Sequence, residues 1–201
     1  KRLAKNAKKS KQKTFDSVTA TTYVIRALIV AVLVVFVGFM LVQFGVPHKL
    51  LPAVKVGDRT YTAAEYSFFY SSVFNSYAEQ SNSLSQSMGY TMFDYTKDPA
   101  AQTTTDEDGN TVTYDELFKK GALKNMETTN YYLNKCAEEG IELNEEHKQE
   151  ITELMLDLSS AAENNNVSLS RYISLVYGNG LSQKKFEQLI SEQFLVAQYV
   201  E

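Results

Sequence analysis

"PAVKVGDRTYTAAEYSFFY", residues 52–70, is the stretch on which the fold turns. Val54-Lys55-Val56 is β-prone, and Gly57-Asp58 breaks it in a turn. Thr62 then stands three residues before Glu65, the spacing of a capping box, in which each side chain satisfies an orphan backbone N–H of a first helical turn. The helix this predicts carries Tyr66, Tyr70, Val73 and Tyr77 on one stripe, with Phe69 and Phe74 beside it. It is expected to fade by about Gln80, in the polar run "EQSNSLSQS".

Upstream, residues 27–46 read "ALIVAVLVVFVGFMLVQFGV", with Gln43 as the one strongly polar residue. Such a run, about 30 Å long as a helix, matches the hydrocarbon core of a bilayer. Residues 1–26 carry eight Lys/Arg against one acid, Asp16, whereas residues 47–201 carry twelve against twenty-three, a net charge of −11. This asymmetry places the N-terminus on the cytoplasmic side and residues 47–201 outside. The basic start "KRLAKNAKKSKQK" is then an anchor on anionic lipid rather than a nucleic-acid site. A cleaved signal peptide has a shorter apolar region and a small-x-small site, and "QFGVPHKLLPAV" offers none. The division expected is a basic cytoplasmic tail (1–23), a single-pass anchor (24–46) and an extracytoplasmic domain (47–201). Lys1 is not Met and Glu201 falls within a helical pattern, so both ends are expected to be internal to a longer protein.

Downstream, residues 81–113 are poor in Leu, Ile and Val and read as a polar insertion. Within them "TTTDEDGNTVT" has an Asp-Gly turn between Thr-rich arms, the pattern of a hairpin tip. Asp106, Asp108 and Asn110 alternate as in a calcium loop, but Thr111 stands where that loop needs Gly and Leu117 where it needs Glu. A second helix is expected from Tyr114 to Glu139, with Phe118, Ala122, Met126, Leu133 and Ala137 inward. Gly140 suits a left-handed C-terminal stop, with Ile141 folding back over it. Asn144 caps a third helix with Ile151, Leu154, Met155 and Leu158 as its stripe, and "ENNN" ends it. A shorter helix follows in "LSRYISLVYG", and Ser182 starts the last, which turns Phe186, Leu189, Ile190, Phe194 and Ala197 inward.

Chemistry is thinly provided for. Cys136 is the single cysteine, read as a buried inert thiol, so no intramolecular disulfide forms. His48 and His147 are the two histidines, the first at the membrane boundary and the second expected to be solvated. No zinc set, nucleophile–base pair, glycine-rich phosphate loop or Gly-x-Ser-x-Gly elbow is found, and no metal or cofactor is expected.

Three stretches carry a resemblance. "VKVGDRTYTAAEYSFFY" is similar to the strand–turn–helix entry of the N-terminal chaperone domain of the SurA/PrsA/PpiD group of extracytoplasmic foldases. "LNKCAEEGIELNEEHKQEI" looks like that group's helix–turn–helix, and "YGNGLSQKKFEQLISEQFLVAQYV" resembles its closing helix. Together they make up about half of residues 52–201 outside 81–113, in order along the chain, and an N-terminal span matches the anchored PpiD-like members. The resemblance implies a mainly α fold: a single transmembrane helix, then a helical chaperone domain with a short β element near residues 54–61. It also implies a cradle for unfolded or newly exported polypeptides at a bacterial cell membrane. Many members carry a parvulin-type prolyl isomerase domain, and nothing in residues 1–201 corresponds to one.

A holdase needs exposed, adaptable apolar and aromatic surface kept soluble by charge. The chain's thirteen Tyr and eleven Phe, without Trp, suit that need. Tyr66, Phe69, Tyr70, Phe74 and Tyr77 are the client-binding candidates, against the alternative that a helical aromatic stripe is core. Two other functions stay open: a tethered adaptor for one folded partner, and the N-terminal part of an isomerase whose catalytic domain lies outside this chain. The partners expected are unfolded chains and membrane lipid, with no nucleic acid; self-association is left open.

Overall fold

The computed structural model describes residues 26, 28–43 and 46–201, and its contacts divide the chain into two units after residue 44. In the first unit, residues 28–43 form helix α1, with every side chain exposed. Among the described residues no helix is long and apolar enough to cross a membrane. The described part of α1 is about 24 Å long, short of a hydrocarbon core. The basic tail 1–23 and positions 24, 25, 27, 44 and 45 of the expected span lie outside the described residues.

The second unit is mainly helical. A short helix α2 (Val46–Leu50) leads into strands β1 (Pro52–Val56) and β2 (Arg59–Thr62), which pair antiparallel with Val54 opposite Tyr61 and Val56 opposite Arg59. Gly57 makes the turn at φ +58°, which a side chain tolerates poorly, and a Cβ there would come 3.0 Å from Asn130 Nδ2. Asn130 is there because it pins the hairpin: its amide donates to the Val56 carbonyl (3.3 Å) and to Asp58 Oδ1 (3.0 Å).

Helix α3 (Ala63–Met88) starts at the expected capping box: the Thr62 N–H donates to Glu65 Oε2 (2.8 Å) and the Glu65 N–H to Thr62 Oγ1 (3.3 Å). It does not fade at Gln80 but runs on to Gly89, a left-handed cap. The polar insertion is therefore no excursion. Its first eight residues continue α3, and Phe93 returns to the interior. Ser81 makes that return possible, donating its hydroxyl to the Phe93 carbonyl (2.7 Å) and accepting the Phe93 N–H (2.9 Å). A 3-10 turn (Pro99–Ala101) precedes the expected hairpin, β3 (Thr103–Thr105) with β4 (Thr111–Thr113). Asp106 closes its tip by accepting the N–H groups of Asp108 and Asn110. The alternating acids thus serve a turn.

Helix α4 (Tyr114–Glu139) has the bounds read from sequence and its own capping box, Thr113 with Glu116. It stops at left-handed Gly140, where the Ile141 N–H reaches back to the Cys136 carbonyl (2.9 Å). Helices α5 (Glu145–Asn164), α6 (Leu169–Tyr177) and α7 (Gln183–Val200) follow, capped by Asn144, Ser168 and Ser182. Of the residues expected inward on α4 and α7, Ala137 and Ala197 are exposed, and Leu133, Ile190 and Phe194 are half-buried. The ends of α4 and α7 pack through tyrosines instead, Tyr132 against Tyr199. His147 is half-buried, its ring 5.4 Å from that of Phe194.

Two adjoining cores hold the unit. The larger joins Tyr61, Phe68, Phe69, Met126, Ile173, Phe186 and Leu189, from β2, α3, α4, α6 and α7. The smaller centres on Phe93, Tyr114 and Phe118, with Tyr70, Phe74 and Tyr77 against it. Its rings meet mostly edge to face, as Phe74 meets Phe93 at 5.4 Å and 89°. Close approaches at glycine let the helices reach these cores. A Cβ on Gly121 would lie 3.2 Å from Val73, and one on Gly178 only 2.4 Å from the Ser67 Cβ.

Candidate functional site

The five aromatic candidates of α3 do not share one surface. Phe69 is 1 % exposed and packs edge-on against both Tyr61 and Phe68, so it offers nothing to a client. That corrects the expectation for Phe69: its side of the stripe faces the larger core. Tyr66 and Tyr70 are half-buried against the same core. The Tyr70 hydroxyl donates to Asp115 Oδ1 (2.9 Å). Burial and that carboxylate together push the phenol well above its usual range. Phe74 and Tyr77 lean on the smaller core, through Phe93 and Phe118.

Tyr77 does, however, reach an opening. With Val73, Leu117 and Gly121 it lines a cleft between α3 and α4, bounded also by Asp106, Glu107, Lys120 and Lys124. The floor is apolar because Val73 and Tyr77 lie four apart on α3, and Leu117 and Gly121 four apart on α4. The hairpin tip between β3 and β4 brings the two acids over to one side. The cleft holds about 130 Å³. That is below the range of cofactor pockets, about 300–1,000 Å³. It is comparable to the engineered apolar cavity of about 150 Å³ that takes up benzene. One ring or one branched aliphatic side chain matches that volume.

Sequence reading found Tyr77 but not Val73's role, Leu117 or Gly121. The one available signal was Gly121 itself, an isolated glycine inside a strong helical pattern, which marks a close approach.

The remaining polar groups serve packing. Arg59 grips Glu192 with both nitrogens (2.8 and 3.3 Å) and lies 4.5 Å over the Tyr61 ring. Glu65 Oε1 sits 3.4 Å from Lys185 and 3.7 Å from Arg59, so hairpin, α3 and α7 are clamped together. Burial opposes the Glu65 charge, but the two Thr62 hydrogen bonds and Lys185 outweigh it and hold the carboxyl below its usual range. Cys136 is buried, and burial pushes its thiol up, so it is a poor nucleophile. Among the described residues no cluster of three or more His, Cys, Asp or Glu could hold a metal.

No protein-family model, no curated protein and no solved structure matches this chain.

Proposed function

We propose that the chain is a membrane-anchored extracytoplasmic chaperone domain, one that binds unfolded or newly exported polypeptides through their apolar side chains. The observation that carries the reading is the cleft beside Tyr77: apolar at its floor, sized for one side chain and charged at its rim. A site of that kind selects for an exposed apolar residue rather than for a particular sequence, as a holdase requires. Three other features support the reading. The apolar run 27–46 would keep the domain at the membrane and raise its local concentration near emerging chains. Met88, Tyr90 and Tyr95, at and just beyond the end of α3, stay exposed and add apolar surface. The net charge of residues 47–201 keeps such surface soluble. The foldase resemblance of residues 52–201 points the same way.

The test is suppression of aggregation by residues 45–201, a unit with its own cores, on two unrelated denatured proteins. A Tyr70→Ser, Phe74→Ser variant is a poor control, since both side chains pack against the cores. Glu107→Cys, with a bulky thiol adduct across the cleft mouth, leaves the packing alone. Suppression of both clients, weakened by the adduct, is the expected result; suppression of neither sinks the holdase reading.

A further inference from the structure

We infer that α2 and the outward face of the β1–β2 hairpin form a seat on the lipid surface, holding the domain against the bilayer in one orientation. The inference rests on the membrane reading above. Leu50 is 73 % exposed and Leu51 59 %, and α2 buries none of its side chains. Two adjacent leucines so placed cost solvation in water and gain it at a headgroup boundary. They follow directly on the apolar run of residues 27–46, which would deliver them at that depth.

Charge selects the same partner. Residues 47–57 contain no acid and carry His48, Lys49 and Lys55, in a domain that otherwise holds twenty-three acids. Lys55 and its cross-strand neighbour Thr60 are exposed, on the face opposite Val54 and Val56, which turn toward the core. Lysines beside an anionic headgroup layer are each worth about 1 kcal/mol of attraction. The next charged residue is Asp58, an exposed carboxylate that accepts from Asn130 at the turn, and the acid-free stretch ends there.

The seat is also stiff. The Leu51 N–H donates to the Pro47 carbonyl (2.8 Å), and the Ala63 N–H of α3 donates to the Leu51 carbonyl (3.2 Å). Asn130 ties the same hairpin to α4. A surface resting on lipid through α2 therefore fixes the direction of α3 and of the cleft between α3 and α4.

The protein lacks Trp, so a single introduced Trp reports on its own position. Leu51→Trp, Val35→Trp and Glu150→Trp versions of the full chain would be reconstituted into vesicles containing phosphatidylglycerol, with and without lipids brominated near the headgroup end of their chains. The expected result is strong quenching at positions 35 and 51 and none at 150. Quenching at 51 should be lost when Lys49→Glu and Lys55→Glu are added or when the vesicles are wholly zwitterionic. Quenching at 35 with position 51 as unquenched as 150 would overturn the seat while leaving the anchor standing. No quenching at 35 would overturn the anchor, and the seat with it.

Discussion

Glu65 stays ionised in a nearly closed environment because its partners outnumber its losses. It accepts both the Thr62 N–H and hydroxyl and faces Lys185 and Arg59. Removing it by Glu65→Ala takes away a helix cap and leaves two cations under-compensated, so urea unfolding should show a loss of about 1–2 kcal/mol. The pH dependence has a definite sign. The folded-state pKa lies below the ordinary carboxylate value of 4.5, so the contribution is fully present above that value. It is lost as pH falls through the folded-state pKa. Thermal melts from neutral pH downward should therefore show the wild type losing stability on acidification, and Glu65→Gln losing less over the same range. Gly178 makes a sharper case. Its φ of +133° suits glycine alone, and a Cβ would collide with Ser67 at 2.4 Å. Gly178→Ala should cost about 2–4 kcal/mol in the same titration. Gly109→Ala, with a positive φ but open space around it, should cost only about 1 kcal/mol.

Elements were legible wherever a cap or turn announced them. Thr62 with Glu65, Gly140, Asn144 and Ser182 each marked a boundary that the chain adopts, because these residues satisfy backbone groups locally and need no distant partner. The C-terminal half of α3 was not legible. "EQSNSLSQSM" has little apolar periodicity, and its helix is held by a tertiary bond, Ser81 to the backbone of Phe93, between residues that local pattern does not relate. Phe93 was missed for the same reason, being one ring in a polar stretch. The aromatic stripe was half legible: its spacing predicted a common face, but helical spacing alone does not say which side is core, and Phe69 went inside. Two substitutions check this account. Ser81→Ala leaves a buried N–H and carbonyl of Phe93 without their partner, costing about 1–3 kcal/mol. Phe93→Ala empties the smaller core and should cost about 3–5 kcal/mol. Hydrogen exchange should show the amides of residues 89–113 losing protection before those of α7, since only the smaller core holds that segment down.

At the scale of the whole molecule, the chain presents an apolar segment, a helical unit and, within that unit, a cleft whose rim carries both signs of charge. Buried Cys136 makes the cleft directly measurable, because a thiol introduced on the surface is the reactive one. Lys124→Cys at the cleft and Glu150→Cys on α5, each exposed, would be labelled with a benzophenone maleimide and irradiated with several unrelated unfolded polypeptides. Adducts with all of them are expected from position 124, and few from position 150. Equal labelling from both positions, or none from position 124, would contradict a client-binding cleft.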